Sequence, residues 1–170
     1  MKTKKLEDIT SKEFLDKSLE NAKFWCQLNL PKYFEFEDEF NYPNATYNYN
    51  NYKFDYSIFR YIIDNEMIGS DMRLDENQQG LVRVSTRKLK WHQKREEYFR
   101  KYDKLYGKIR EPVEVDPESI FIHEITEFIV CKNPILLLPY FSQRQFPNSI
   151  ARQIENINRR ERGLREWLEY

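Results

Sequence analysis

The stretch DPESIFIHEITEFIVCKNP, residues 116–134, decides how the rest of the chain is read. Asp116, Pro117 and Glu118 make a helix start. The first is an acid that can accept from a free N–H, the second a proline where no donor is needed, and the third a negative charge in the first turn. Asn133-Pro134 makes a stop, because the residue before a proline is pushed out of the helical region. Between them the spacing predicts a helix over 119–131 that is apolar around most of its circumference. Phe121, Ile122, Ile125, Phe128, Ile129 and Val130 carry that surface, broken by Thr126. So apolar a helix belongs at the centre of a fold. With Ile120 at 0°, His123 falls at about 300°, Glu127 at about 340° and Glu124 at about 40°, so three ionisable groups share an arc of roughly 100°. Carboxylates on a central helix must be paired, protonated or metal-bound, since an isolated buried charge is too costly.

Upstream, Thr10-x-x-Glu13 reads as a capping box opening a first helix. Phe14, Leu15, Leu19, Ala22 and Cys26 then recur at helical spacing to about Leu30, and Pro31 is expected to end it. Residues 41–52 (NYPNATYNYNNY) read as a flexible, turn-rich loop, and residues 54–63 fit helix or strand equally well. The segment 67–85 predicts a hairpin, with MIGSDMRL and LVRVS flanking the Gly-containing turn DENQQG. A long amphipathic helix over 86–107 follows. Its Trp91, Tyr98, Phe99, Tyr102, Leu105 and Tyr106 lie on one side, expected to be core, and Lys90, Lys94, Arg100, Lys101 and Lys104 on the other. Downstream, ILLLPYF (135–141) is a short buried segment. Pro147-Asn148-Ser149 opens a last helix with the stripe Ile150, Ile154 and Ile157, ending near Gly163. The expected class is α+β: four to five helices packed with a small antiparallel sheet, in a single domain over 1–170.

Composition bounds what such a domain does. Charged residues are 33% of the chain, but 12 Phe, 12 Tyr and 3 Trp supply buriable area that argues against disorder. Lys+Arg and Asp+Glu both number 28, which argues against a globally basic nucleic-acid binder. The charge is nevertheless segregated, since residues 83–110 hold eleven Lys or Arg against three acids. Two cysteines, Cys26 and Cys131, show no metal-site or disulfide spacing, so a reducing, cytoplasmic setting is expected. No apolar leader and no long apolar run is present, so neither a signal peptide nor a membrane partner is expected. With four glycines and no P-loop, GxGxxG or GxSxG, a phosphate cradle and a serine nucleophile are not indicated.

The chemistry that needs His123 and Glu127 one helical turn apart is hydrolysis at a bound divalent metal. Two ligands at i and i+4 hold an ion over one face, and the residue after the first ligand can act as general base on a water there. The run FIHEITEF resembles the HExxH helix of zincin-type metallopeptidases, and the resemblance covers mainly residues 117–162. It departs where the second histidine is Glu127. It implies zinc or a similar divalent metal on His123 and Glu127, Glu124 as the catalytic base, and a peptide as substrate. It also implies a third ligand from a downstream helix. Glu155 is the first choice, although it lies about 130° from the isoleucine stripe of its helix; His92, upstream on the 86–107 helix, is the second, and Glu161 on the last helix is the other. The competing reading is a nucleic-acid-binding accessory protein, in which HExxE is structural. There Lys90, Lys94, Arg100, Lys101 and Lys104 would contact phosphates, with Arg159-Arg160-x-Arg162 and Arg165 extending the patch.

Overall fold

In the computed structural model, residues 5–33, 56–64, 72–75, 80–107, 114–132 and 147–167 are described. Five helices are found there: α1 (Leu6–Ile9), α2 (Lys12–Tyr33), α3 (Thr86–Leu105), α4 (Pro117–Lys132) and α5 (Pro147–Glu161). A three-stranded sheet has β1 (Arg60–Ile63), β2 (Met72–Asp75) and β3 (Leu81–Val84) in the order β1-β3-β2. The class is α+β. The expected loop at 41–52 and the ILLLPYF segment lie outside the described residues.

The helix at 116–134 is the centre of the fold, as its apolar circumference requires. Phe121, Ile122, Ile125, Phe128, Ile129 and Val130 are all buried, and α4 packs between α2 and α5 while also meeting β2. Its start is built as read: the Ser119 N–H donates to Asp116 Oδ2 at 2.9 Å, so Asp116 is the cap and Pro117 the first helical residue. From α2 the face Leu15, Leu19, Ala22, Cys26 and Leu30 is buried against it. Two expectations for α2 are corrected. The cap is Ser11, whose Oγ accepts from the Phe14 N–H at 3.2 Å, one residue later than Thr10. Pro31 lies inside the last turn instead of ending the helix.

The hairpin of β2 and β3 is antiparallel, with Met72 opposite Val84 and Asp75 opposite Leu81. Gly80 enters β3 at φ +106, where a Cβ would stand 3.1 Å from the carbonyl oxygen of Ile58, so both backbone angle and space demand glycine. The sheet as a whole is mixed, not antiparallel. The ambiguous segment 54–63 supplies a 3₁₀ turn (Tyr56–Ile58) and then β1, which runs parallel to β3 with Arg60 opposite Leu81. The connection that parallel pairing requires carries β2 itself. Phe59 plugs the junction between sheet and α4 by meeting Phe128 edge-on at 5.5 Å.

The long basic helix departs most from expectation. α3 buries Leu89 and Glu96, while Trp91, Tyr98, Tyr102, Leu105 and Tyr106 are exposed. The side expected to be core faces outward. Gly107, at φ +68, closes the helix by donating to the Lys104 carbonyl at 3.3 Å. Among the described residues no helix is long and apolar enough to cross a membrane. Both cysteines are free, Cys26 buried and Cys131 exposed.

Candidate metal centre

α5 brings a second set of polar groups onto α4. Its Ile150 and Ile154 are buried as the stripe predicts, but so are Glu155, Asn156, Asn158 and Arg159. The single-stripe expectation assumes one packing partner, and α5 has two. α4 lies on one side. On the other the chain returns after Gly163, at φ +71, and lays Trp167 back along the helix. Trp167 is pinned by a reciprocal pair with Asn156, whose amide nitrogen donates to the Trp167 carbonyl at 2.9 Å. The Trp167 N–H donates back to Asn156 Oδ1 at 2.8 Å.

Inside that layer His123 is clamped at both ring nitrogens. Nδ1–H donates to Glu155 Oε2 at 3.0 Å and Nε2–H to Asn148 Oδ1 at 2.9 Å, while Glu127 Oε2 stands 3.6 Å from Nε2. Burial disfavours the imidazolium. The hydrogen bonds to Glu127 and Glu155, with the charges of Glu155 and Glu124, outweigh it and push His123 up to about 9. Both nitrogens therefore carry protons near neutral pH when nothing else occupies the site.

Glu155 is fully buried, and three donors saturate it. His123 Nδ1 and Arg152 Nη1 (2.5 Å) share its Oε2, and Trp167 Nε1 donates to its Oε1 at 2.8 Å. This corrects its expected role. Glu155 is the neighbour of His123, but it meets the ring at Nδ1, away from Glu127, and the Arg152 guanidinium on the same oxygen repels a cation. It orients the imidazole instead of supplying a ligand atom, the part a carboxylate behind a metal-bound histidine plays.

The front of the ring is different. His123, Glu124 and Glu127 each offer one ligand atom, all within 4.8 Å of one another, with the first two side chains buried and Glu127 half-buried. This group could hold a metal ion. Asn148, in the first turn of α5, adds an amide oxygen at the same nitrogen. Sequence reasoning missed Asn148; its only signal was a place beside Pro147 at the start of a helix facing α4. The other two third-ligand choices are elsewhere. Glu161 accepts from Trp25 Nε1 at 2.8 Å, and His92 lies among aromatics, 5.0 Å from Trp91 and 6.0 Å from Trp167 between ring centroids.

Behind this site lies a feature that sequence reading misassigned. Arg159 does not extend a basic surface, because it is fully buried. Nη1 donates to Ser119 Oγ at 2.8 Å, Nη2 to the Glu114 carbonyl at 2.7 Å and Nε to the Arg165 carbonyl at 2.7 Å, with the guanidinium 5.1 Å from the Trp167 ring centre. Arg162 pairs with Asp116 and, at 3.4 Å, with Glu118, and Arg160 pairs with Glu166. Burial opposes the Asp116 charge, but the hydrogen bond and charge of Arg162 prevail and hold its carboxyl below the usual range. The basic run of α5 is thus largely spent within the fold, tying α5 to the start of α4. Of the five α3 residues in the competing reading, Lys90, Lys94, Lys101 and Lys104 are exposed and Arg100 is half-buried. Comparison of the chain with protein-family models, with curated proteins and with solved structures yields no match.

Proposed function

We propose that the chain is a metal-dependent hydrolase of zincin type acting on a peptide bond. Zinc or a similar divalent ion would be held by His123 Nε2, Glu127 and the amide oxygen of Asn148. The observation that carries this reading is the two-sided clamp on His123: a saturated, buried carboxylate behind the ring and a cluster of oxygen donors in front of it. One imidazole nitrogen with carboxylate and amide oxygens is a donor set that suits zinc and the harder divalent ions.

Charge balance supports the fit. With His123 neutral under a bound ion and the carboxylates ionised, Glu124, Glu127 and Glu155 carry three negative charges, and Arg152 and Arg159 both act on Glu155. At the front of the ring a divalent ion offsets the charges of Glu124 and Glu127, so loading the site leaves neither carboxylate unpaired there. When bound, such an ion polarises a carbonyl and acidifies a water. The chain's own residues do the rest. Glu124, next to His123 on α4, takes the proton of the attacking water. Glu155 fixes the ring's tautomer and angle, and Arg152 and Trp167 hold Glu155 in place.

The test is hydrolysis of a mixed fluorogenic peptide library by chain stripped with a chelator and then reloaded. Turnover should vanish on stripping, with metal removal checked by mass spectrometry, and return with zinc. Turnover that survives stripping, or none across the library in the zinc-loaded chain, contradicts the proposal.

A further inference from the structure

We propose that the exposed face of α3 binds single-stranded nucleic acid, stacking bases on its aromatic row while its lysine row meets the phosphates. This goes beyond the metal site and does not depend on it. The starting observation is where the apolar surface is. Nine large hydrophobic side chains are exposed among the described residues, and five of them lie on α3 or the turn that closes it: Trp91 (50%), Tyr98 (64%), Tyr102 (47%), Leu105 (82%) and Tyr106 (65%). Four of those five are aromatic.

Their order around the helix is specific. With Lys90 at 0°, Lys101 falls at about 20° and Lys94 at about 40°; Tyr98, Trp91 and Tyr102 follow at about 80°, 100° and 120°. A row of exposed lysines therefore runs directly beside a row of exposed rings, from Lys90 to Tyr102, over roughly 18 Å of helix. Arg95 lies 5.5 Å from the ring centres of both Trp91 and Phe99, bracing the aromatic row from its far side. Although the chain has no net charge, α3 carries eight Lys or Arg against three acids, so the positive field is local to this helix.

The mixture selects the partner. A protein interface enriches aromatic residues but depletes lysine, and a solvated helix face enriches lysine but not tyrosine or tryptophan. Rings interleaved with lysines match a strand whose bases have free π-faces and whose backbone carries a charge at each step. A paired duplex hides those faces, so unpaired bases are the better fit.

The experiment uses the whole chain in excess chelator, which keeps its result separate from that of the metal site. Binding to a fluorescent oligothymidylate and to the matching duplex is followed by anisotropy from 50 to 200 mM salt. The expected results are attachment to the single strand at 50 mM salt, weaker attachment to the duplex, and steep loss with salt. The double variant Tyr98→Ala/Tyr102→Ala should weaken single-strand binding by about tenfold or more with an unchanged salt slope, because stacking is not screened. Lys94→Ala/Lys101→Ala should flatten the slope by about 0.7 for each phosphate contact removed. All four positions are exposed, so circular dichroism should show both variants folded. No binding at 50 mM salt overturns the proposal. So does equal binding of duplex, or indifference to the tyrosine changes, either of which would mean attachment by charge alone. A chain that binds no oligonucleotide and sediments as a dimer dissociated by the tyrosine changes also overturns it, the face then being an interface between copies.

Discussion

Replacing Arg159 with alanine is expected to destabilise the folded chain by about 4 kcal/mol, the range in which a single surface change does not fall. Three acceptors lose their donor at once: the Ser119 hydroxyl and the carbonyls of Glu114 and Arg165. A buried group left unsatisfied costs about 1–3 kcal/mol, and the vacated volume adds a cavity. The Trp167 ring also loses the cation lying 5.1 Å from its centre. Because Arg159 ties α5 to the first turn of α4, the loss should be felt as weaker packing of the two helices that carry the site. Arg160→Ala is the control, since that side chain is exposed and its pair with Glu166 is at the surface; its effect should stay within about 0.5 kcal/mol. Urea unfolding of the two variants side by side measures the difference. Equal midpoints would show that the buried guanidinium contributes no more than an exposed one.

Glu124→Gln is expected to lower hydrolytic turnover by ~10²–10⁴ while leaving the metal in place. The substitution keeps shape and hydrogen-bonding capacity and removes the group that accepts a proton. Its effect must separate from that of His123→Ala, which removes the ring that the whole arrangement serves. The separation matters because Glu124 is also one of the three residues whose ligand atoms lie within 4.8 Å of one another. If metal is lost from Glu124→Gln, Glu124 is a ligand and the chain has no general base beside its histidine. Retained metal with undiminished turnover would remove Glu124 from the chemistry.

Much of the fold was legible because it rests on local punctuation. Asp116-Pro117 opens α4, Gly80 enters β3 at a positive φ, and Gly107 and Gly163 take up the left-handed angles that close α3 and α5. What was not legible depends on partners. The pattern along 54–63 fits helix or strand and says nothing about the direction of pairing, so the parallel β1 came only with its neighbour β3. The wheel of α3 separates rings from lysines correctly, but periodicity cannot say which side meets the body of the protein. In α5 the isoleucine stripe located one packing surface. Glu155 and Arg159 face in because Trp167 and the returning chain cover a second. For the site, the i, i+4 spacing on α4 was sufficient to bring His123 and Glu127 together. The work of Glu155 was not readable, since a carboxylate that ligates and one that orients are the same letter. Only its three donors distinguish them.

Equilibrium zinc binding by tag-free chain, stripped and then dialysed against buffered zinc, tests the metal centre most directly. Mass spectrometry of the dialysed protein should find close to one zinc per chain in the parent and essentially none in His123→Ala, because losing one protein ligand of three leaves little affinity. Glu155→Gln should still bind one zinc, about 10–100-fold more weakly, as befits a group that orients the ligand. No zinc on the parent chain, or the same amount on parent and His123→Ala, would contradict the assignment of this site as a metal centre.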